Sequence, residues 1–288
     1  MIPASNIQAW STSAPWPQSE QVEQDLIICR ALCELFSSPG LAGKIAFRGG
    51  TAIHKLLFDR PLRYSEDIDL VQLQDEGIGP TVDAVREALA WLGNVSRDQA
   101  AHSMHLLFRF QPEAAPQTTL KLKIEINTRE QRSALATRQY PFAVANDWFQ
   151  GGADIVSFEP EELFGTKLRA LLQRNKNRDL FDLHIGLDQL GMDLDRLVEC
   201  FDHYLALSET PISRAAAEQR MLAKLQRSLI EDVTPLLPAG VTFTGAEALC
   251  AFEQVWKDLI VRIQGAPWRL TDQTIGQLRE NGFPDLLR

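Results

Sequence analysis

Asp67-Ile68-Asp69 sets two carboxylates two residues apart at the start of a β-type run over residues 68–73. Side chains two apart on a strand project to one face, so the pair can share a divalent metal ion. The spelling alone is weak, because 38 of the 288 residues are acidic and about five acid-x-acid pairs arise by chance at that density. Asp193-Leu194-Asp195 is an internal control: it is spelled the same way but precedes a helical pattern, where residues two apart do not share a face. The first pair gains weight from Gly49-Gly50-Thr51, which follows an apolar run over 44–47 and precedes a helical stretch to Phe58. Glycine lets the backbone approach a phosphate closely, and the helix that follows offers free N–H groups and a positive dipole end, to which Thr51 adds a hydroxyl. A strand end that holds phosphate beside a strand that holds metal is the arrangement phosphoryl transfer requires. A tight turn beside a surface acid pair is the alternative.

Further chemistry-bearing residues lie downstream. Over 120–127, Leu120, Leu122, Ile124 and Ile126 alternate with Lys121, Lys123, Glu125 and Asn127, so Glu125 is either a third carboxylate or half of a solvated Lys–Glu pair. In a helical pattern opening at Pro160, Lys167 is four residues from both Leu163 and Leu171 and falls on the inward stripe, either snorkelling or aimed at phosphate. Asp179 and Asp182 follow three apart on one helix side, with Arg178 or Lys167 as possible ionic partners. Between residues 163 and 178 there are five basic side chains, Lys167, Arg169, Arg174, Lys176 and Arg178, and no acidic one.

The elements that must position these groups are legible in outline. Residues 1–20, rich in Ser, Pro, Gln and Trp, read as an irregular arm. Val22, Leu26, Cys29, Leu32, Cys33 and Phe36 recur at helical spacing after Ser19, a candidate N-cap, and Ser37-Ser38-Pro39-Gly40 stops the helix. Strands are expected over 44–47, 68–73, 104–110 and 120–127, with a helix over 82–92. Helices then dominate, over 160–173, 179–190, 194–207, 213–230 and 246–263. The class is α+β, a small mixed sheet flanked by helices with a helical C-terminal half, and the boundary falls at Gly151-Gly152, read as a hinge, giving units 21–152 and 153–288.

Composition narrows the function. The chain carries 29 basic residues and a net charge of −9, which argues against a protein that grips nucleic acid over its whole surface but leaves room for the local basic stretch. No apolar run is long enough for a membrane span, no leader is apparent, and four cysteines are too few for a disulfide framework, so a cytoplasmic setting is expected. His102 and His105 lack companions for a zinc site, and no Walker A, nucleophile-elbow or dinucleotide fingerprint is present.

Phe47-Arg48-Gly49-Gly50-Thr51-Ala52-Ile53-His54-Lys55, followed by Arg63-Tyr64-Ser65-Glu66-Asp67-Ile68-Asp69-Leu70, resembles the first motif of the AbiEii/AbiGii nucleotidyltransferase toxins, which include the MenT toxins, in the DNA polymerase β-like superfamily. Similarity extends upstream to Val22-Glu23-Gln24-Asp25-Leu26 and downstream through the region of Lys167 and Asp182. The resemblance implies a polymerase β-like core, a helical domain contributing to the active-site cleft, and Mg²⁺-dependent transfer of a nucleoside monophosphate from a nucleoside triphosphate (NTP). Asp67 and Asp69 would be the metal ligands, and Gly49, Gly50 and Thr51 the phosphate cradle. Glu125 would complete the site or deprotonate the acceptor, Lys167 would contact the triphosphate, and Asp182, with Asp179 as runner-up, would act at the acceptor. Some relatives are held inactive by phosphorylation at a serine placed like Ser65, which makes Ser65 a candidate regulatory residue at the nucleotide. The implied acceptor is RNA, above all the 3′ end of tRNA, touched by Arg174, Lys176 and Arg178, and the implied partner is an antitoxin. A protein hydroxyl or an aminoglycoside-type small molecule are alternative acceptors, and a non-catalytic nucleotide-binding module is a third possibility.

Overall fold

The apolar alternation of 120–127 and the runs around Phe47 and Leu70 become the middle of a seven-stranded mixed sheet. A computed structural model describes residues 2–100, 102–113, 115–208 and 211–288; Met1, the first residue of the expected arm, lies outside them. The chain divides into two compact units, Met1–Glu159 with Leu236–Val241, and Pro160–Pro235 with Thr242–Arg288.

In the first unit the elements run α1 (Ala4–Trp10), α2 (Ser19–Ser37), β1 (Ile45–Arg48), α3 (Gly49–Leu56), β2 (Asp67–Gln72), α4 (Ile78–Ala88), β3 (Val95–Ala100), β4 (Ser103–Phe110), β5 (Leu120–Asn127), β6 (Thr137–Asn146) and β7 (Phe149–Phe158). The strand order is β3-β4-β5-β2-β1-β7-β6. β2 runs parallel to β5 and β1 to β7, and the remaining neighbours are antiparallel. Phe47, Ile68, Leu70, Leu106, Ile124 and Ile126 are buried in one core with Leu26, Leu32 and Cys33 of α2 and Val82 and Val85 of α4. That apolar face commits the opposite face of the central strands to polar side chains.

Three features depart from the expected layout. The N-terminal arm is folded: α1 buries Ile7, and Ala14 and Trp16 are also buried, because the apolar residues scattered through this stretch find a place in the core even without a period. Gly151-Gly152 lies inside β7 rather than at a hinge, and the unit boundary falls after Glu159. Gly152 sits opposite Ala143, and a Cβ there would come within 3.0 Å of the Phe142 carbonyl oxygen, so the glycine serves cross-strand packing. β3 and the β6–β7 hairpin were absent from the expected strand set; β6 lies at a sheet edge, where Pro141 forfeits no ladder bond on its open side.

The second unit contains α5 (Pro160–Gln173), α6 (Arg178–Gln189), α7 (Leu194–Ala206), α8 (Arg214–Lys224), α9 (Gly245–Asp258) and α10 (Thr271–Glu280). Asp193 caps α7, accepting hydrogen bonds from the Asp195 and Arg196 amides at 3.1 and 3.2 Å, so the second acid-x-acid pair is a helix start. The expected helix over 213–230 stops at Lys224, and that over 246–263 stops at Asp258; each gives way to tight turns.

Candidate active site

Strand register builds the polar face. Asp67 and Asp69 of β2 stand opposite Lys123 and Glu125 of β5, Arg48 of β1 stands opposite Asp69, and His105 of β4 stands opposite Glu125. Paired residues in a sheet share a face. The alternation that buries Ile68, Ile124 and Ile126 therefore collects three carboxylates and three basic side chains on the other side. Burial, and then the charge of Asp67, push the Asp69 carboxyl above its ordinary range, with Glu125 adding to the effect and Arg48 opposing it. Two crowded carboxylates that resist ionising together are a donor set suited to a divalent cation.

Glu125 is differently employed. Its Oε2 lies 2.8 Å from Lys123 Nζ and 3.4 Å from His105 Nε2. Burial would raise its carboxyl, but the Lys123 hydrogen bond and charge outweigh that and hold it below the usual range. Among the described residues no group of three or more His, Cys, Asp or Glu side chains is gathered closely enough to hold a metal ion. The protein thus offers the pair Asp67 and Asp69, which fits an ion whose remaining positions are filled by phosphate oxygens and water.

The glycine turn closes on Asp69 of this pair. Gly49 adopts φ +82°, a left-handed conformation, and a Cβ there would overlap the Asp69 carboxylate. Gly50 is also close-packed, since a Cβ would come within 2.6 Å of the Arg63 guanidinium. Gly49 and Gly50 are the first residues of α3, so the turn presents unpaired amides beside the carboxylates. Thr51 Oγ1 lies 2.6 Å from the Asp67 carbonyl oxygen and 2.8 Å from Ser65 Oγ. With one hydroxyl proton, Thr51 donates to the carbonyl and accepts from Ser65. The cradle, the metal pair and Ser65 are thereby one connected assembly.

The assembly rests on a row of buried polar residues in α2 that the sequence reading quoted without assigning a role. Gln24 Nε2 donates to the Lys121 carbonyl at 3.0 Å and to the Glu66 carbonyl at 3.5 Å, tying β5 to the residue that precedes Asp67. Asp25 is 1% exposed and accepts from Trp10 Nε1 at 2.9 Å, Trp16 Nε1 at 3.2 Å and Lys55 Nζ of α3 at 2.6 Å. Arg63, 2% exposed, donates to the Tyr64 carbonyl at 2.9 Å, and Arg48 is ion-paired with Glu130. Three consecutive polar residues, Glu23 to Asp25, inside an apolar helical period were the available signal.

In the second unit Lys167 is 5% exposed, with Nζ 2.9 Å from Asp182 Oδ2 and 3.3 Å from Asp179 Oδ1. Both candidate acids are thus partners of the candidate lysine. Arg174 grips Asp179 with two hydrogen bonds, of 2.7 and 2.8 Å. Burial would raise the Asp179 carboxyl, yet Lys167 and Arg174 more than offset it and hold the group low. Of the three expected RNA contacts, Arg174 has its guanidinium engaged here, Arg178 opens α6 half-buried, and Lys176 is exposed.

A family model described as the nucleotidyl transferase AbiEii toxin of type IV toxin–antitoxin systems matches residues 30–254. The chain belongs to this family. It is accordingly a nucleotidyltransferase of a toxin–antitoxin class, for which the family implies an NTP substrate, a divalent metal and an antitoxin partner. The fold is similar to JHP933 from Helicobacter pylori, with TM-score 0.53 and 17% identity over 94% of this chain and 100% of that one. It is similar also to a second H. pylori structure titled a putative nucleotidyltransferase, with TM-score 0.50 and 16% identity over 85% and 99% of the two chains. The nucleotidyltransferase toxin MenT4 from Mycobacterium tuberculosis aligns at TM-score 0.46 and 14% identity over 97% and 88%. No curated protein matches. Among the described residues no helix is long and apolar enough to cross a membrane.

Proposed function

We propose that this family member transfers a nucleoside monophosphate from an NTP to RNA, with the 3′ end of tRNA as acceptor and Mg²⁺ as the ion. The observation that carries the catalytic part is the approach of Gly49 to the Asp69 carboxylate, where a left-handed backbone and a Cβ that would overlap the carboxylate both call for glycine. Asp67 and Asp69 would hold Mg²⁺, which supplies neutralisation of triphosphate charge when bound. The amides at the start of α3 hold phosphate oxygens, and Thr51 with Ser65 keeps the turn in register with β2. An acceptor hydroxyl oxygen bonds to the α-phosphorus as the bond to the β-phosphate bridge breaks, so pyrophosphate leaves and the hydroxyl proton passes to a base. On the family resemblance that base is Asp182, Lys167 serves the triphosphate, and Glu125 with Lys123 flanks the metal pair. RNA is favoured as acceptor by the basic stretch ending at Arg178, from which Lys176 projects.

The test incubates the full chain with each labelled NTP and, separately, with total RNA, a protein extract and an aminoglycoside. Label in a tRNA-sized band that depends on Mg²⁺ supports the proposal. Label confined to protein or to the small molecule replaces RNA with that acceptor, and no transfer to any of them removes the catalytic assignment of these residues.

A further inference from the structure

A polar hollow lies within the helical unit. A cavity of about 430 Å³ is formed by residues 175–177, which join α5 to α6, and by residues 223–232 at and beyond the end of α8. Three cations line it, Lys176, Lys224 and Arg227, against two carboxylates, Glu231 and Asp232. Asp232 is already engaged, its Oδ2 accepting the Asn177 amide at 2.9 Å. We infer that this cavity is a phosphate subsite that seats a backbone phosphate of the RNA acceptor, with Lys224 as its buried cation and Lys176 and Arg227 at its rim. The inference rests on the RNA reading and extends it from Lys176, on the basic stretch, to the buried Lys224 and to Arg227.

Lys224 carries the argument. Its side chain is buried, 6% exposed, and its Nζ donates to the Arg174 carbonyl at 3.1 Å. An ammonium has three donors and a full charge, so one carbonyl leaves most of its demand unmet. Burial pulls its proton affinity below the ordinary lysine range even though Asp179 and Asp232 pull the other way. Among the described residues no carboxylate lies within ion-pair distance of Lys224, and a buried cation left so is costly, which suits a place that receives an anion.

The lining also selects the kind of anion. Ala223 is the one apolar side chain among the lining residues, and no aromatic ring is present to stack on a base. Pockets for small organic ligands are mostly apolar, and single-stranded bases are gripped by aromatic stacking. A site with neither, in which three cations and three side-chain amides outnumber the two carboxylates, suits a phosphodiester and leaves the base outside. The same short connection links the cavity to the Lys167 cluster: Arg174 takes Lys224 on its carbonyl and holds Asp179 with its guanidinium. A phosphate drawn to Lys224 would therefore bear on the backbone that orients Asp179.

The test compares wild type, Lys224→Gln and the rim variant Lys176→Glu/Arg227→Glu, each as full chain. Anisotropy of labelled tRNA is measured across a salt series, and steady-state transfer kinetics are measured beside it. The rim side chains are exposed, so that variant keeps the test alive if Lys224→Gln does not fold. Expected are an RNA affinity about tenfold lower, a log K against log salt slope shallower by about one per lost contact, and a raised KM for RNA with KM for NTP unchanged. Unchanged RNA affinity and salt slope in both variants overturns the subsite while leaving the RNA reading standing. Loss of NTP binding in the absence of RNA assigns the cavity to the nucleotide and also overturns it. A wild type that neither binds nor labels RNA removes the RNA reading, and the subsite falls with it.

Discussion

Asp25 is a buried charge with three partners in the first unit, and replacing it tests whether the N-terminal arm and the glycine turn share one support. Its carboxylate takes Lys55 at 2.6 Å and the indoles of Trp10 and Trp16 at 2.9 and 3.2 Å. The Lys55 and Asp25 side chains are 9% and 2% exposed, so Asp25→Asn leaves an ammonium buried without its counter-charge. Breaking a buried pair from one side costs about 3–5 kcal/mol, and the weakened indole bonds add to this. Against a total stability of about 5–15 kcal/mol that is a large fraction. At about 2–4 °C per kcal/mol for a unit of this size, Tm should fall by about 10 °C. Lys55→Met in the same chain removes the stranded charge, so the double variant should be more stable than Asp25→Asn alone. Thermal unfolding by circular dichroism reads the stability, and tryptophan emission reads the release of the two indoles. A loss below about 1 kcal/mol in Asp25→Asn, or Lys55→Met adding its own full cost, would refute this reasoning.

Other substitutions separate the parts of the site. Gly49→Ala should retain the fold at a cost of about 1–2 kcal/mol for the left-handed backbone and lose transfer activity through the clash with Asp69; near-normal activity would show that the turn does not need its closeness. Asp179 has a folded-state pKa below its unfolded one, so its contribution is complete above the unfolded value and fades as pH falls through the folded value. The stability gap between wild type and Asp179→Asn should thus be widest at neutral pH, begin to narrow below about pH 4 and close only below the folded-state value in urea titrations. A gap that is flat with pH would contradict the ionic role. Ser65→Asp should depress transfer further than Ser65→Ala, because the first sets a carboxylate against Thr51 and the metal pair while the second loses only the Thr51 hydrogen bond; full activity in Ser65→Asp removes the regulatory reading.

Much of the candidate site's arrangement was legible because strand alternation does two jobs at once. Burying Ile68 between Asp67 and Asp69, and Ile124 and Ile126 around Glu125, places the acids together on the other face, and only the cross-strand register had to be learned from the fold. The inward position of Lys167 was readable from helical period, but its two carboxylate partners depended on how α5 packs against α6. Arg174 reads in the sequence as an RNA contact in a basic stretch; its pairing with Asp179 requires the turn at residues 174–177. The β6–β7 hairpin was hidden by Pro141 and Gly151-Gly152, residue types that normally mark loops but here suit an edge strand and a close cross-strand approach. The folded arm was missed because Trp10 and Trp16 are fixed by a single distant carboxylate rather than by a repeating apolar pattern.

The most direct measurement is nucleotidyl transfer to tRNA by Asp69→Asn, a substitution that keeps shape and removes charge. With folding verified by circular dichroism, wild type should label the RNA and Asp69→Asn should fall by more than about a hundredfold, with Asp67→Asn alike. Transfer by either variant at the wild-type rate, under the same Mg²⁺ and NTP, would contradict the assignment of the Asp67–Asp69 face as the catalytic centre.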